Sequence, residues 1–151
     1  MFKIAGCEAC ELEIISSWRQ TMWPAHLSNL TIAVVEDHDD ARKYLALFLS
    51  QVVGKVVVAR NVSEGLEAIK KSKPDLVLTD IRMPGADGFE LLREVRALGS
   101  DSARNVPVIA MTALFTRADR VRILDAGFQG CLPKPFTPDK LLEAILKVLN
   151  E

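Results

Sequence analysis

The sequence predicts an α/β protein built on a parallel β-sheet that has helices on both faces. Short, nearly continuous apolar runs rich in Val and Ile alternate with longer segments whose apolar residues recur at helical spacing. The chain has 151 residues, of which 49% are hydrophobic and 26% charged, as expected for about one ordinary globular domain. These observations exclude a disordered chain and favour one compact core.

Five apolar runs are predicted strands, because a parallel strand covered on both faces is apolar throughout. In chain order the strands are Leu30–Val35, Lys55–Arg60, Asp75–Asp80, Val106–Met111 and Phe128–Leu132. The helices that follow them are Asp40–Val52, Ser63–Lys71, Gly88–Leu98, Thr116–Ala126 and Pro138–Leu149. Five strand–helix pairs with right-handed crossovers leave few topologies, and we expect the flavodoxin-like strand order 2-1-3-4-5.

Polar residues next to the helical segments predict where the helices begin. Asp39 or Asp40 is the expected N-cap of the first helix, Ser63 that of the second and Thr137 that of the last. Gly88 is interpreted as loop geometry, in a turn that precedes the third helix.

The overall charge excludes several classes of function. Nineteen Lys and Arg residues face twenty Asp and Glu residues, for a net charge of −1, so a basic nucleic-acid-binding surface is not expected. No apolar run approaches the roughly 20 residues needed to span a bilayer, and no signal peptide is recognisable. Three cysteines do not suggest a disulfide framework. We therefore expect a cytoplasmic protein that binds neither membranes nor nucleic acid directly.

The acidic residues are unevenly distributed. Four of them follow the first predicted strand within five positions: Glu36, Asp37, Asp39 and Asp40. Residues 30–151 contain 17 basic and 17 acidic residues, so this cluster is a local imbalance in a neutral segment. Solubility alone does not explain such a cluster at the end of an apolar strand.

In a doubly wound sheet, ligands bind at the carboxyl ends of the strands, where the strand order reverses. The ends of strands one, three, four and five carry Glu36 with Asp37, then Asp80, Thr112 and Lys134. Each residue alone has an ordinary structural explanation, such as a capped helix or a strand end. Their combination predicts that three carboxylates, a hydroxyl and an ammonium converge at one edge.

Three carboxylates in one cleft repel each other unless a cation lies among them. Oxygen ligands without His or Cys favour a hard ion such as Mg²⁺. With the metal, Lys134 and Thr112 would surround the oxygens of a phosphoryl group. Asp80 is then the natural nucleophile, and it would form an aspartyl phosphate.

Four segments carry a resemblance to a known family. They are V-V-E-D-H at 34–38, L-V-L-T-D-I-R-M-P-G-A-D-G-F-E-L-L at 76–92, M-T-A at 111–113 and L-P-K-P-F at 132–136. Together, in this order, they resemble the receiver domain of response regulators, the phosphoacceptor module of two-component signalling. The resemblance covers residues 30–151, which are 122 of the 151 residues.

The resemblance implies a role for each residue of the metal and phosphorylation site. Asp80 is the implied phosphoacceptor. Glu36 and Asp37 are the implied acidic pair that holds Mg²⁺, or Mn²⁺ as a substitute, together with Asp80. The backbone carbonyl of Arg82 is a further implied metal ligand.

The resemblance also implies how phosphorylation is sensed, with two departures from the family pattern. Thr112 and Lys134 would contact the phosphoryl group, and the peptide bond before Pro135 resembles the family's cis bond. The family usually has an aromatic residue three positions before the lysine, where this chain has Cys131, so the usual coupling of threonine and ring is in question. Leu114 is apolar where the family is often polar, and we expect slow dephosphorylation.

The implied partners are a histidine kinase or histidine phosphotransferase, which would dock near the first helix and Pro135, and a downstream target or second copy. The latter would bind the face built from Thr116–Ala126, Phe128–Leu132 and Pro138–Leu149. We expect no output domain after the last helix. The protein would catalyse only its own phosphorylation and slow dephosphorylation, and would not be an independent enzyme.

Two alternatives remain open. The chain could be the receiver part of a hybrid sensor kinase or phosphorelay protein, or a receiver-like interaction module that works without phosphate. A hydrolase is disfavoured because G-x-S-x-G, a P-loop and G-x-G-x-x-G are all absent. Asp80 also lacks a second acid two positions later.

Residues 1–29 form an N-terminal extension whose role the sequence leaves open. Leu12, Ile15, Trp18 and Met22 recur at near-helical spacing, which predicts one amphipathic helix over Glu8–Met22. The pair Cys7 and Cys10 lacks the second ligand pair of a structural zinc site and does not open a thioredoxin-like unit.

Overall fold

A computed structural model describes residues 25–99, 101–113 and 116–150 of the chain. Five parallel strands form one sheet in the order β2-β1-β3-β4-β5, which confirms the predicted fold class and strand order. The strands are β1 (Thr31–Val35), β2 (Lys55–Ala59), β3 (Leu76–Asp80), β4 (Val108–Thr112) and β5 (Gly130–Pro133). The predicted fourth and fifth strands begin two residues too early, because Val106 and Phe128 are buried in the loops that lead into them.

A helix follows each strand, as predicted. The five helices are α1 (Asp39–Ser50), α2 (Val62–Ser72), α3 (Gly88–Arg96), α4 (Arg117–Ala126) and α5 (Pro138–Leu149). Two short elements were not predicted: a 3₁₀ helix at Ala25–Asn29 and a helical turn at Asp101–Arg104. Among the described residues, no helix is long and apolar enough to cross a membrane.

The side chains of the strands alternate between two apolar layers. On one face, Val34 and Leu78 pack with α1 and α5 in a cluster that includes Leu45 and Leu141. On the other face, Val77 and its neighbours pack with α2, α3 and α4. All five residues of β3 are buried, as expected for the central strand of a sheet covered on both sides.

The helix caps differ in part from the prediction. His38, rather than Asp39 or Asp40, caps α1 by accepting a hydrogen bond from the Ala41 amide at 3.3 Å. Asn61, rather than Ser63, caps α2. In both cases the cap is the residue with extended backbone directly before the helix, and the predicted residues lie inside the first turn. Thr137 caps α5 as predicted.

The residues before β1 are part of the core. Leu27 lies in the 3₁₀ helix and is 1% exposed, packed in the same apolar layer as α1 and α5. The carbonyl of Leu30 then accepts hydrogen bonds from the amides of Gly54 and Lys55, both at 3.0 Å, which ties the chain to the start of β2. The predicted helix over Glu8–Met22 and the two cysteines near the N-terminus lie outside the described residues.

Candidate functional site

The parallel register brings the predicted site residues to one edge of the sheet. Asp80 is the last residue of β3 and lies beside Met111 of β4, so that Thr112, the last residue of β4, is next to it at the same edge. Glu36 follows β1 directly, and its amide donates to the carbonyl of Ala59 at the end of β2. The sheet therefore places the ends of its strands around one shallow site.

Three carboxylates lie together at this edge. One oxygen from each of Glu36, Asp37 and Asp80 lies within 4.8 Å of the others. Glu36 is 1% exposed and Asp80 is 9% exposed, while Asp37 is half-buried. Three like charges so close together and so poorly hydrated repel each other, which makes the cluster a strong attractor of cations.

Lys134 supplies one positive charge to the cluster. Its Nζ lies 2.8 Å from Glu36 Oε2 and 3.4 Å from Asp80 Oδ2. The Lys134 amide also donates to the Thr112 carbonyl at 2.7 Å, which positions the loop after β5, and the bond from Lys134 to Pro135 is cis. The lysine thus reaches the acidic edge from a fixed backbone position.

The charges shift the protonation equilibria of the site. Burial and the neighbouring charge of Glu36 raise the pKa of Asp80 to about 6, although Lys134 partly opposes this. Burial alone would lower the pKa of Lys134, but its contacts with Glu36 and Asp80 raise that pKa above the usual value. Lys134 is therefore a cation near neutral pH. The Asp80 carboxyl, with a pKa of about 6, loses its proton only as the pH approaches neutrality.

The loop between β1 and α1 is held by hydrogen bonds to Glu36. The amide of His38 donates to Glu36 Oε1 at 3.2 Å, and the Arg42 guanidinium donates to the Glu36 carbonyl at 3.0 Å. Arg42 also forms an ion pair with Asp39 on the first turn of α1. Arg42 was not predicted as part of the site, although its position three residues after Asp39 on a helix was a usable signal.

The backbone around Asp80 is held at close range by α3. The amide of Gly88, the first residue of α3, donates to the Ile81 carbonyl at 2.9 Å. A Cβ at Gly88 would lie 2.6 Å from the Asp80 carbonyl oxygen, so only glycine permits this approach. The interpretation of Gly88 as loop geometry was therefore wrong. The amide of Arg82 also donates to Asp80 Oδ1 at 3.3 Å.

The donor set fits a hard divalent cation. The three clustered groups offer carboxylate oxygens, which Mg²⁺ prefers, and no His or Cys of the described residues joins them. A single Lys134 cannot neutralise three carboxylates. The bond from the Arg82 amide to Asp80 places the backbone of Arg82 beside the cluster, where its carbonyl is the fourth predicted ligand.

The predicted switch residues Thr112 and Cys131 lie on β4 and β5. Thr112 is 4% exposed at the end of β4. Cys131 is half-buried on β5 beside Ala110, and burial raises the pKa of its thiol, so that it is neutral near pH 7. Leu114 lies outside the described residues. No pattern in the sequence indicates the contact between Phe89 on α3 and Arg122 on α4, which lie far apart in the chain.

Comparison with known proteins identifies the family to which this chain belongs. The family model described as "Response regulator receiver domain" matches residues 32–146. Response regulator MprA of Mycobacterium sp. (strain KMS) is 36% identical over 119 residues, which are 79% of this chain and 50% of MprA. An uncharacterized 14.6 kDa protein of Leptolyngbya boryana is also 36% identical, over 79% of this chain and 89% of its own length.

Solved structures that resemble this chain are also response regulator proteins. The chemotaxis response regulator CheY4 of Vibrio cholerae is 26% identical with a TM-score of 0.73, covering 80% of this chain and 99% of CheY4. The BeF3-activated receiver domain of Klebsiella pneumoniae RstA is 30% identical with a TM-score of 0.69, over 80% of this chain and 99% of that domain. The chain spans about half the length of MprA, so only the receiver portion of that relative is matched. The chain belongs to the response regulator receiver family of two-component systems.

Proposed function

We propose that this protein is a Mg²⁺-dependent phosphoacceptor that takes a phosphoryl group from a phosphohistidine onto Asp80. The observation that carries this proposal is the position of the Asp80 carboxylate. It lies at the end of the central strand, in a cluster with Glu36 and Asp37, and within 3.4 Å of the Lys134 ammonium. A nucleophile, acidic metal ligands and a fixed cation are thus present at one edge.

In the proposed step, a carboxylate oxygen of Asp80 attacks phosphorus as the bond between phosphorus and the donor imidazole nitrogen breaks. The imidazole leaves with the bonding electron pair and takes up a proton, and Asp80 becomes an acyl phosphate. Lys134 stabilises the charge on the phosphoryl oxygens, since its pKa keeps it protonated. A Mg²⁺ ion held by Glu36, Asp37, Asp80 and the Arg82 carbonyl would neutralise further phosphoryl charge.

The low exposure of the site determines where the charge of an added phosphoryl group would lie. Asp80 and Thr112 are buried at 9% and 4% exposure, so a phosphoryl group of charge about −2 would be added next to packed strand ends. We propose that Lys134 and Thr112 respond to this charge and bias the face formed by α4, β5 and α5. The protein would catalyse only its own phosphorylation and a slow dephosphorylation.

The proposed partners follow from membership of the receiver family. The donor is a histidine kinase or a histidine phosphotransferase. Once Asp80 is phosphorylated, the face formed by α4, β5 and α5 binds a downstream protein or a second copy. A receiver-like module that acts without phosphate would keep the fold but would not use the nucleophile, so one labelling experiment separates the two functions.

The test is incubation of the protein with Mg²⁺ and a small acyl phosphate, followed by detection of a base-labile phosphoprotein. We expect label on the wild type, none on Asp80→Asn, and normal label on Asp125→Asn, whose aspartate is exposed on α4. Absence of label on the wild type would remove the phosphoacceptor function. Label that persists on Asp80→Asn would assign the phosphorylation to another residue.

A further inference from the structure

Position 131 lacks a side chain that could transmit a movement by swinging a ring. Cys131 is half-buried on β5 and packs against the apolar layer of α2, α3 and α4. A thiol at this position is small and, once packed, has no large alternative volume to occupy. A connection between the Asp80 edge and α4 through an aromatic side chain would therefore need a residue other than that at position 131.

Phe89 is the aromatic side chain whose backbone is tied most directly to Asp80. It is the second residue of α3 and follows Gly88, whose amide bonds the Ile81 carbonyl at 2.9 Å. The close approach of Gly88 to the Asp80 carbonyl leaves little freedom between these two backbones. A displacement of the Asp80–Ile81 segment is therefore passed to the start of α3, where Phe89 lies.

The ring of Phe89 connects α3 to the region of α4. Its edge meets the ring of Phe128 at a centroid distance of 5.6 Å and an interplanar angle of 81°. The guanidinium carbon of Arg122, on α4, lies 4.7 Å from the centre of the Phe89 ring. Both arrangements are favourable, the first through complementary ring edges and faces and the second through the cation and the ring quadrupole.

Helix α4 has few other attachments. Ile123 is its only buried residue, whereas Val121 is 53% exposed and Leu124 is 41% exposed. A helix with one buried side chain depends strongly on each remaining contact for its position. The contact of the exposed Arg122 with Phe89 joins α4 to α3, and such an exposed contact contributes about 0.5–1 kcal/mol.

A small cavity of about 40 Å³ adjoins this stack. It is lined by Ile81, Phe89, Thr112, Asp119, Arg122 and Ile123. The cavity thus touches the residue after Asp80, the end of β4 and α4 at once. Its size is close to that of one water molecule, so it leaves room for a small side-chain shift.

We propose that Phe89 and Arg122 are the positioning residues that couple the Asp80 site to α4 in this protein, in place of an aromatic residue at position 131. This proposal rests on the proposed phosphorylation of Asp80. A change at Asp80 moves the start of α3 and the Thr112 side of the cavity, and the stack carries that movement to α4. Neither residue takes part in phosphoryl transfer.

The test is amide hydrogen exchange of the peptide that spans residues 117–126, with and without Mg²⁺ and a small acyl phosphate, with phosphorylation quantified on the same samples. In the wild type we expect phosphorylation to change the exchange rates of α4 amides. In Arg122→Gln and Phe89→Leu we expect phosphorylation within about twofold of wild type, but at least a threefold smaller change in α4 exchange. Arg122→Lys, which keeps a cation, should retain most of the change.

Two controls separate coupling from general loosening of the fold. Arg120→Gln removes an exposed arginine from the same helix, and Cys131→Ser alters the thiol; both should leave the exchange difference at its wild-type size. Label on all chains with an undiminished α4 response in Arg122→Gln and Phe89→Leu would overturn this proposal alone. Label without any α4 response in the wild type would also overturn it. A wild type without label would remove the proposed function and this coupling with it.

Discussion

The Lys134 ammonium lies closer to Glu36, at 2.8 Å, than to the carboxylate of Asp80, at 3.4 Å. Glu36 is almost fully buried, and its side chain also accepts a bond from the His38 amide. The lysine therefore stabilises mainly the buried glutamate while remaining within reach of Asp80. A group added to Asp80 would find this cation already oriented, with little reorganisation needed.

Removal of Lys134 is expected to destabilise the metal-free protein. Lys134→Met leaves the clustered carboxylates without a counter-charge, and we expect the free energy of unfolding to fall by about 1–3 kcal/mol. Urea denaturation near neutral pH without divalent ions measures this. Lys140→Met is the matched control, because Lys140 pairs with Glu143 on the exposed side of α5, and such a pair contributes about 0–1 kcal/mol. Equal losses in the two variants would contradict the assigned role of Lys134.

Ionisation of Asp80 should cost stability in the metal-free protein. Its pKa rises from an ordinary value of 3.8 to about 6 on folding, so the folded state binds more protons than the unfolded state between these values. The unfolding free energy of the wild type should therefore fall relative to Asp80→Asn as the pH rises from about 4 to about 6, by up to about 3 kcal/mol, and then stay level. Denaturation of both chains at several pH values checks this. A difference that is constant with pH would show that the carboxylate is not perturbed.

The fold was predictable because its signals are local. The run L-V-L-T-D of β3 is apolar until its last two residues, which predicts a central strand that ends in Asp80 at the site edge. Strand ends then place Glu36 and Lys134 at the same edge by topology alone. The direct contact between those two side chains, at 2.8 Å, was seen only in the structure.

The features that were missed depend on individual side-chain contacts, some local and one between distant segments. Three residues in a row could cap α1, and the choice of His38 follows from the bond of its amide to Glu36 and the ion pair of Asp39 with Arg42. The spacing of apolar residues along the sequence, from which the helix was predicted, carries no information on either contact. The stack of Phe89 and Arg122 joins two helices through side chains that each look ordinary in their own segment.

Substitution of Gly88 tests the close packing of α3 against the backbone of Asp80. In Gly88→Ala the new Cβ would lie 2.6 Å from the Asp80 carbonyl oxygen and 3.0 Å from the Ile81 Cα, and both are backbone atoms. We expect a loss of about 1–3 kcal/mol in unfolding free energy, since the backbone must shift. Phosphorylation by a small acyl phosphate should slow as Asp80 is displaced.

The matched control for this variant is Gly99→Ala. In the part of the chain that the structure describes, no atom beyond the adjoining residues lies within 4 Å of a Cβ placed at Gly99, so its effect on unfolding should be within about 0.5 kcal/mol. If Gly88→Ala were as stable and as readily phosphorylated as Gly99→Ala, the approach of α3 to Asp80 would not constrain the site.

The acidic cluster predicts a specific response to magnesium. Mg²⁺ that binds the folded state should raise the unfolding free energy of the wild type, by about 1.4 kcal/mol for each tenfold excess over its dissociation constant. Asp37→Asn removes one of the three clustered carboxylates, so the same Mg²⁺ concentration should stabilise this variant less. Without metal the variant should be at least as stable as wild type, because repulsion within the cluster is lower.

Asp40→Asn is the control, since Asp40 is exposed on the first turn of α1 and outside the cluster, and it should keep the full gain in unfolding free energy on addition of Mg²⁺. Thermal or urea unfolding with and without Mg²⁺ measures all three chains. An undiminished gain in Asp37→Asn would place the cation elsewhere, because a ligand lost from the binding site must weaken the linkage between metal binding and folding.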